Sequence, residues 1–434
     1  MSDAAIPTDM QTPARGKSRF ADRRLWFMAA FGFVGGLPLA LSGFTLRQWL
    51  TEDHVSLETI GLTADIGLAY SLKFFWAPLL DHLSPPRPFA RLGRRRGWLL
   101  LIQPFLALAC LALALSNPAD GPFLTIAAGA AIALVSATQD IVIDAWRIET
   151  FPEALQGAAM AVYVWGYRVA MLVSGAWLIK AVDFVGWHGA LLGITGLVLI
   201  FIPATFFAPE PQADTPTATV AGRHRWFERA VVDPFRDFLR RPGALIILLY
   251  VALFNVGEAM AGVMLPSLYR ALGFDRGDVS GAGNFSLVAT IAGYGIGSLL
   301  IARLGLARAL ISTGFIQMAA MSMYVWLAVS PGDHFLLYGT VVTEAFLQGL
   351  ASAAYITYLS GLCSLAHSGT HYALLTSLAA LASHTIAGFS GFLAAALGWP
   401  LFYTVTMFAS LPGMIVMLYI IRRFPVAAEK SARR

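Results

Sequence analysis

Runs of about 20 apolar residues alternate along the chain with short polar stretches, and each run is long enough to cross a bilayer core of about 30 Å as a helix. Twelve such helices are predicted, near 25–46, 60–80, 97–115, 123–146, 157–180, 188–208, 244–268, 279–301, 306–329, 335–360, 370–396 and 400–422. The segment Pro209 to Arg241 is the one long polar interruption, rich in Pro, Thr and Arg, and it divides the spans into two sets of six. The plan is a tail at 1–24, a six-helix half at 25–208, a linker at 209–243, a second half at 244–422 and a tail at 423–434. The expected class is an all-α polytopic membrane protein. One stretch breaks the pattern: in "SATQDIVIDAWRIE", Ser136 to Glu149, the end of span 4 takes on Gln139, Asp140, Asp144, Arg147 and Glu149. Asp140, Asp144 and Arg147 fall at i, i+4 and i+7, one helix face. A charge near the bilayer centre costs about 2.5–3.5 kcal/mol on insertion scales, so this face should look into a bundle or a wet cavity.

Composition agrees with the pattern. Hydrophobic residues make up 57% and charged residues 13%, against about 25% charge in soluble domains. The polar, basic first 24 residues show no cleavable secretory signal. Cys110 and Cys363, both inside predicted spans, argue against a disulfide framework, and no Cys/His spacing suggests a metal site. A net charge of +5 could point to nucleic acid, but the positive-inside rule accounts for it instead. Arg15 to Arg24, Arg87 to Arg96, Arg223 to Arg241 and Arg422 to Arg434 cluster on one side, while the other receives Arg47, Lys180, Arg270 and Arg276. Both termini and the linker should therefore be cytoplasmic. Trp49, Trp187 and Trp399 at the outer ends and Trp76, Trp98 and Trp146 at the inner ends are expected to form aromatic belts.

Two six-helix halves joined by a long loop suggest the major facilitator architecture, in which three-helix repeats nest within each half and spans 1, 4, 7 and 10 should carry the irregular and polar cavity residues. Span 1 has Gly35, Gly36 and Pro38; span 4 has Gln139, Asp140 and Asp144; span 7 has Asn255, Glu258 and Pro266; span 10 has Glu344 and Gln348. Between spans 2 and 3, "PLLDHLSPPRPFARLGRRRGW" sets Asp81 at a helix end before Arg94, Arg95 and Arg96. It resembles the facilitator loop signature that latches one conformation; the alternative reading is that these arginines only anchor topology.

The segments "GGLPLALSGFTL", "LKFFWAPLLD", "GRRRGWLL", "SATQDIVIDAW", "YRVAMLVSG" and "LGFDRGDV" resemble those of AmpG-type anhydromuropeptide permeases. The resemblance runs from span 1 to the start of span 8 and is looser in spans 9–12. It implies a proton-driven importer, in the bacterial inner membrane, of N-acetylglucosaminyl-1,6-anhydro-N-acetylmuramyl peptides for cell-wall recycling and, in some bacteria, β-lactamase induction. Asn255 stands where the family pattern leads one to expect Lys, and Ser383 where it leads one to expect Arg. Two further C-terminal helices carried by some permeases of this type are not expected here.

Counting about 1.5 Å per residue places Arg168, Glu258 and Glu344 within roughly 5 Å of the midplane, with Lys73 slightly inward and Asp140 about 10 Å inward. Lys73 and Arg168, with Gln139, Asn255 and Gln348, are candidate substrate ligands, because an Arg fork grips both oxygens of a carboxylate. Alternatively the two cations neutralise Asp65, Asp140 or Asp144. Glu258 and Glu344, ahead of Asp140, are proton-coupling candidates or else static hydrogen-bonded acids; His371 and His384 rank below them. Asp81, Asp144, Arg147, Arg94 and Arg95 form the expected inner gate, with Asp140 beside Asp144. No cofactor is expected beyond the proton gradient as energy source. The expected partners are a glycopeptide solute, protons and lipid, not nucleic acid, with the protein a monomer.

A carrier of another bulky anion, such as an acyl-coenzyme A or a drug, is the competing transporter reading. An enzyme lacks a nucleophile–base pair or metal cluster here, and a sensor lacks an output domain. Reporter fusions after Arg225 and at the C-terminus should both show cytoplasmic-type activity. A periplasmic signal at either would overturn the twelve-span topology.

Overall fold

The computed structural model describes residues 22–211, 236, 239, 243–362 and 368–423. The expectations that fall on the N-terminal tail to residue 21, most of the linker, Cys363 and the C-terminal tail lie outside the described residues, as do the side chains of Asp81 and His371. Among the described residues, nine stretches are long and apolar enough to cross a membrane, and one of them, Ala159–Phe207, runs 49 residues. At about 1.5 Å per residue a straight helix of that length would more than span two bilayer cores. It is broken instead at Gly186 (φ 69°, ψ 172°). With that break, and with an interrupted second helix and His334–Leu362 included, the chain makes twelve passages at the expected places. Spans 1 to 6 are Arg24–Glu52, 57–82, Arg94–Leu115, Pro122–Thr150, 153–185 and 187–207. Spans 7 to 12 are Ala244–Ala271, Arg276–Leu304, Leu306–Ala328, His334–Leu362, 368–397 and Trp399–Arg423.

Packing repeats between the halves. Span 1 lies along span 5 and span 2 along span 4; correspondingly span 7 lies along span 11 and span 8 along span 10. Spans 3 and 6 pair on one flank and spans 9 and 12 on the other. The halves meet through spans 1 and 7, 2 and 11, and 5 and 8. Large apolar side chains such as Trp26, Phe123, Phe184, Leu245, Phe335 and Phe207 point outward, as a chain solvated by lipid tails requires.

Small residues set the tightest contacts. Without a hydrophobic drive between helices in lipid, dispersion contacts between closely approaching backbones carry the association. Gly32 and Gly36 of span 1 lie on the carbonyls of Tyr163 and Tyr167 in span 5, and Gly293 of span 8 lies on the carbonyl of Phe346 in span 10. These positions leave no room for a Cβ.

Three expectations need correction. Spans 4 and 10 are unbroken helices. The backbone irregularities fall at a π turn, Leu41–Thr45, in span 1, at two 3₁₀ turns in span 2, at Val173–Trp177 in span 5 and at Phe254–Asn255 in span 7, with further interruptions at Met321, Gly388–Phe389 and Ser410 in spans 9, 11 and 12. A regular helix already turns a carboxylate inward, so the acids of spans 4 and 10 need no broken backbone. Trp49 and Trp146 are buried in protein, the first stacked on Trp187 at 5.4 Å, the second edge-on to Phe31 with its Nε1 donating to the Pro209 carbonyl at 2.9 Å. They are packing residues, not belt residues. Arg47, counted among outer-side charges, lies inside span 1, because that helix continues to Glu52.

The glycine contacts make a prediction. Gly293→Ala should destabilise the detergent-solubilised protein by about 1–3 kcal/mol through overpacking. Gly295→Ala, where a Cβ would meet nothing within 4 Å, should be neutral or stabilising by up to about 1 kcal/mol. Equal melting temperatures for the two variants would show that the close approach of spans 8 and 10 is not tight.

Candidate functional site

A cavity of about 310 Å³ opens between the halves near the middle of the bundle. Span 5 contributes Arg168, exposed there by the helix stretch that precedes the π turn, and span 10 contributes Glu344 from the facing half; Phe44, Tyr269, Ser286 and Tyr324 also line it. Arg168 makes no ion pair among the described residues. Glu344 is held in place by span 9, from which Gln317 Nε2 donates at 3.0 Å and Tyr324 Oη at 3.2 Å. The expected cation and acid therefore share one chamber, on opposite walls.

A second cavity, of about 340 Å³, lies nearer the end that carries the chain termini, lined by Asn255, Glu258, Gln348, Ser352 and Ser383. Asn255 sits where span 7 is interrupted, at φ −98° and ψ 3°, which turns its side chain and that of Glu258 toward the space. Gln348 donates from Nε2 to Glu258 Oε1. Since Gln348 follows Glu344 by one helical turn, span 10 links the two acids, one in each chamber. Gln348 is thus a partner of Glu258 as well as a cavity residue.

The N-terminal half carries a different arrangement. Lys73 Nζ lies 3.9 Å from Asp140 Oδ2, while Arg147 Nη2 lies 3.6 Å from Asp144 Oδ1. Asp140 is therefore paired with span 2, and Asp144 and Arg147 pair with each other one turn nearer the terminal end. Of the two roles open to Lys73, neutralising Asp140 is the one this geometry favours; Arg168 stays with the cavity. Tyr163 of span 5 lies close to Asp140, both against Gly35 of span 1. Gln139, expected to touch substrate, is fully buried, and neither of its amide atoms has a hydrogen-bond partner among the described residues. Helical phase separates it from Asp140: the adjacent side chain points about 100° away, into the packed side of span 4.

At the terminal end, Arg94 and Arg95 converge on Glu149, with Arg95 Nη2 at 2.6 Å and Arg94 Nη2 at 3.0 Å from Oε1. Glu210, at the start of the linker, accepts from the Arg95 and Arg96 amides at 2.9 Å each. It caps the first turn of span 3, where free N–H groups and the helix dipole favour an anion. Glu149 and Glu210 were missed by sequence reading. Glu149 stood in the conspicuous stretch, but only the packing of span 4 on span 3 puts it beside those arginines. Arg47, also missed, lies in the seam near His384 of span 11, and its Nε has no hydrogen-bond partner among the described residues. Outside the spans, burial and then the neighbouring Glu52 push the Asp53 carboxyl above its usual range.

Residues 27–384 match the Major Facilitator Superfamily family model. The chain is similar to the anhydromuropeptide permease of Escherichia coli, with 37% identity over 402 residues covering 92% of this chain and 80% of that protein. It is also similar to the putative transporter AmpG 4 of Rickettsia conorii, 32% identical over 411 residues, 92% of this chain and 97% of the relative. In fold it resembles a D-xylose–proton symporter, at TM-score 0.68 and 11% identity over 93% of this chain and 97% of that one. A nucleoside transporter, NupG, superposes at TM-score 0.69 and 10% identity over 92% and 98%.

The Lys73–Asp140 pair is open to a direct test. Lys73→Met and Asp140→Asn should each lower stability by about 1–3 kcal/mol, since each leaves a partly buried group without its partner. The double variant should lose about 1 kcal/mol less than their sum. Strict additivity in thermal unfolding would mean that the two side chains do not act as a pair.

Proposed function

Because the chain belongs to the Major Facilitator Superfamily and, within it, to the family of the anhydromuropeptide permeases, we propose that it imports anhydromuropeptides across the bacterial inner membrane together with protons, acting as a monomer with both termini cytoplasmic. The observation that carries this reading is the central cavity with Arg168 on one wall and Glu344 on the other. A muropeptide brings peptide carboxylates and amide-bearing sugars. Arg168 receives a carboxylate through its planar fork, and the aromatic and hydroxyl groups of Tyr269, Tyr324 and Ser286 give the sugars apolar faces and hydrogen-bond partners.

Coupling follows from charge. A substrate carboxylate brought to Arg168 adds negative charge to a chamber that already holds Glu344. A proton on Glu344 removes that repulsion, so proton and cargo each favour the other's binding. Glu344 and Glu258 stand in series, the first in the central chamber and the second in the chamber nearer the terminal end. This order supports a proton route from the central cavity toward the cytoplasm. A proton moving down the membrane potential gains about 2.3 kcal/mol per 100 mV, which is roughly a 50-fold concentration ratio for the coupled solute.

The experiment is uptake of labelled anhydromuropeptide into proteoliposomes with and without an imposed pH gradient. The parent should concentrate the label only with the gradient. Glu258→Gln or Glu344→Gln should abolish gradient-driven accumulation while keeping substrate binding within about threefold of the parent. Accumulation by both Gln variants would place coupling elsewhere, with Asp140 the next candidate, and a parent that neither binds nor transports the label would refute the cargo assignment.

A further inference from the structure

The halves touch at the end of the bundle opposite the termini, and one side chain gathers that contact. Arg276, the first residue of span 8, belongs to the C-terminal half, yet its guanidinium is satisfied by carboxylates of the other half. Nε and Nη2 donate to Glu52 at the end of span 1, at 3.1 and 2.6 Å, and Nη1 donates to Asp183 at the end of span 5, at 3.1 Å. Both acceptors are preset. Glu52 also receives Gln48 Nε2 at 3.0 Å and Trp187 Nε1 at 2.8 Å, and Asp183 receives Lys180 Nζ at 2.8 Å. The Trp187 ring lies 5.9 Å from the guanidinium carbon, a favourable site for a cation over an aromatic face.

The backbone that carries Arg276 is equally fixed. Asp275 caps span 8, its carboxylate accepting from the Asp278 amide at 2.8 Å, while the Asp278 carboxylate accepts from the Asp275 amide at 3.0 Å. This reciprocal cap sets the direction of the first helical turn. Next to Glu52 on span 1, the Thr51 hydroxyl meets that of Ser267 at 3.0 Å across the same seam. A vestibule of about 300 Å³ lies over the contact. The Glu52 side chain is 8% exposed, so dissolved salt screens the pair weakly.

We infer that Arg276 is the clamp that holds the far mouth of the central cavity shut, a positioning residue of the transport cycle and not a ligand of the cargo. The fork geometry requires all three side chains to be brought together from both halves, so the contacts exist only while that mouth is closed. When the halves part there, water takes over the three charges. The clamp therefore has two states whose balance biases which end of the cavity is open, and its neutralisation shifts the population toward the state open at the far end.

The test needs no substrate, so it stands apart from the cargo assignment. Ser286→Cys places a thiol on the central cavity in a chain whose Cys110 and Cys363 are replaced by Ala. Its reaction with a membrane-impermeant maleimide is timed in right-side-out and inverted vesicles, with orientation read from protease removal of a C-terminal tag. Arg276→Gln should raise labelling from the side opposite the termini about tenfold, with Arg276→Lys in between because a point charge serves one acceptor better than two. Glu52→Gln combined with Asp183→Asn should give the same rise, and adding Arg276→Gln to that pair should add nothing further. Unchanged far-side labelling in Arg276→Gln, or additive effects in the triple variant, would overturn the assignment. Should Arg276→Gln fail to reach the membrane, the Glu52→Gln/Asp183→Asn protein decides the question by the same readout.

Discussion

A charge inside an apolar bundle must find an opposite charge, a set of hydrogen bonds or water, and this constraint sorts the charged groups at the centre of this one. Insertion costs of about 2.5–3.5 kcal/mol per charge are offset where the partner is fixed by an adjacent helix, as Asp140 is for Lys73 and Glu149 is for Arg94 and Arg95. Such pairs close off their own charge and leave little for a ligand. Arg168 and Glu344 meet the requirement differently. They face a common cavity, one without an ion pair among the described residues and the other held by neutral donors from Gln317 and Tyr324. Neutral donors fix a carboxyl's position without supplying a counter-charge, which leaves the group responsive to what enters the chamber.

The fold was legible because lipid imposes a strong pattern. Twelve apolar runs and one basic, proline-bearing interruption specify two six-helix halves before any contact is known, and the spans lie within a few residues of where hydropathy alone puts them. Asp140, Glu258 and Glu344 were equally conspicuous, since an acid in an apolar run has few explanations. What could not be read was which helix face meets which neighbour. Gln139 and Asp140 are adjacent in sequence, yet one is sealed in packing and the other pairs across to span 2. Hydropathy is blind to that difference of about 100° around the helix axis.

Helix length misled in a related way. Hydropathy ends span 1 near residue 46, where polar side chains begin, and assigns Arg47 and Trp49 to the outer side. In the structure the helix continues to Glu52 because protein supplies what lipid cannot: Trp187 of span 6 stacks on Trp49, and Arg276 of the other half brings a guanidinium to Glu52. Polar residues at the end of a span can thus mark a seam between halves as readily as an exit to water. The same holds for Arg276, which counts as a topology charge in sequence and as an inter-half contact in space.

The placement of these groups along the bundle axis bears on how transport can be vectorial. Glu52, Asp183 and Arg276 lie at one end, Arg168 and Glu344 in the central chamber, and Glu258 in the chamber nearer the termini. The Arg276 pairs cross from one half to the other, while Lys73–Asp140 and Arg94/Arg95–Glu149 each lie wholly within one half. Contacts within a half brace that half, and contacts between halves are the ones that a relative movement of the halves must break. This division of ion pairs is the one that a rocking motion of two stiff bodies around a fixed central site requires, and it asks for no special flexibility of the helices.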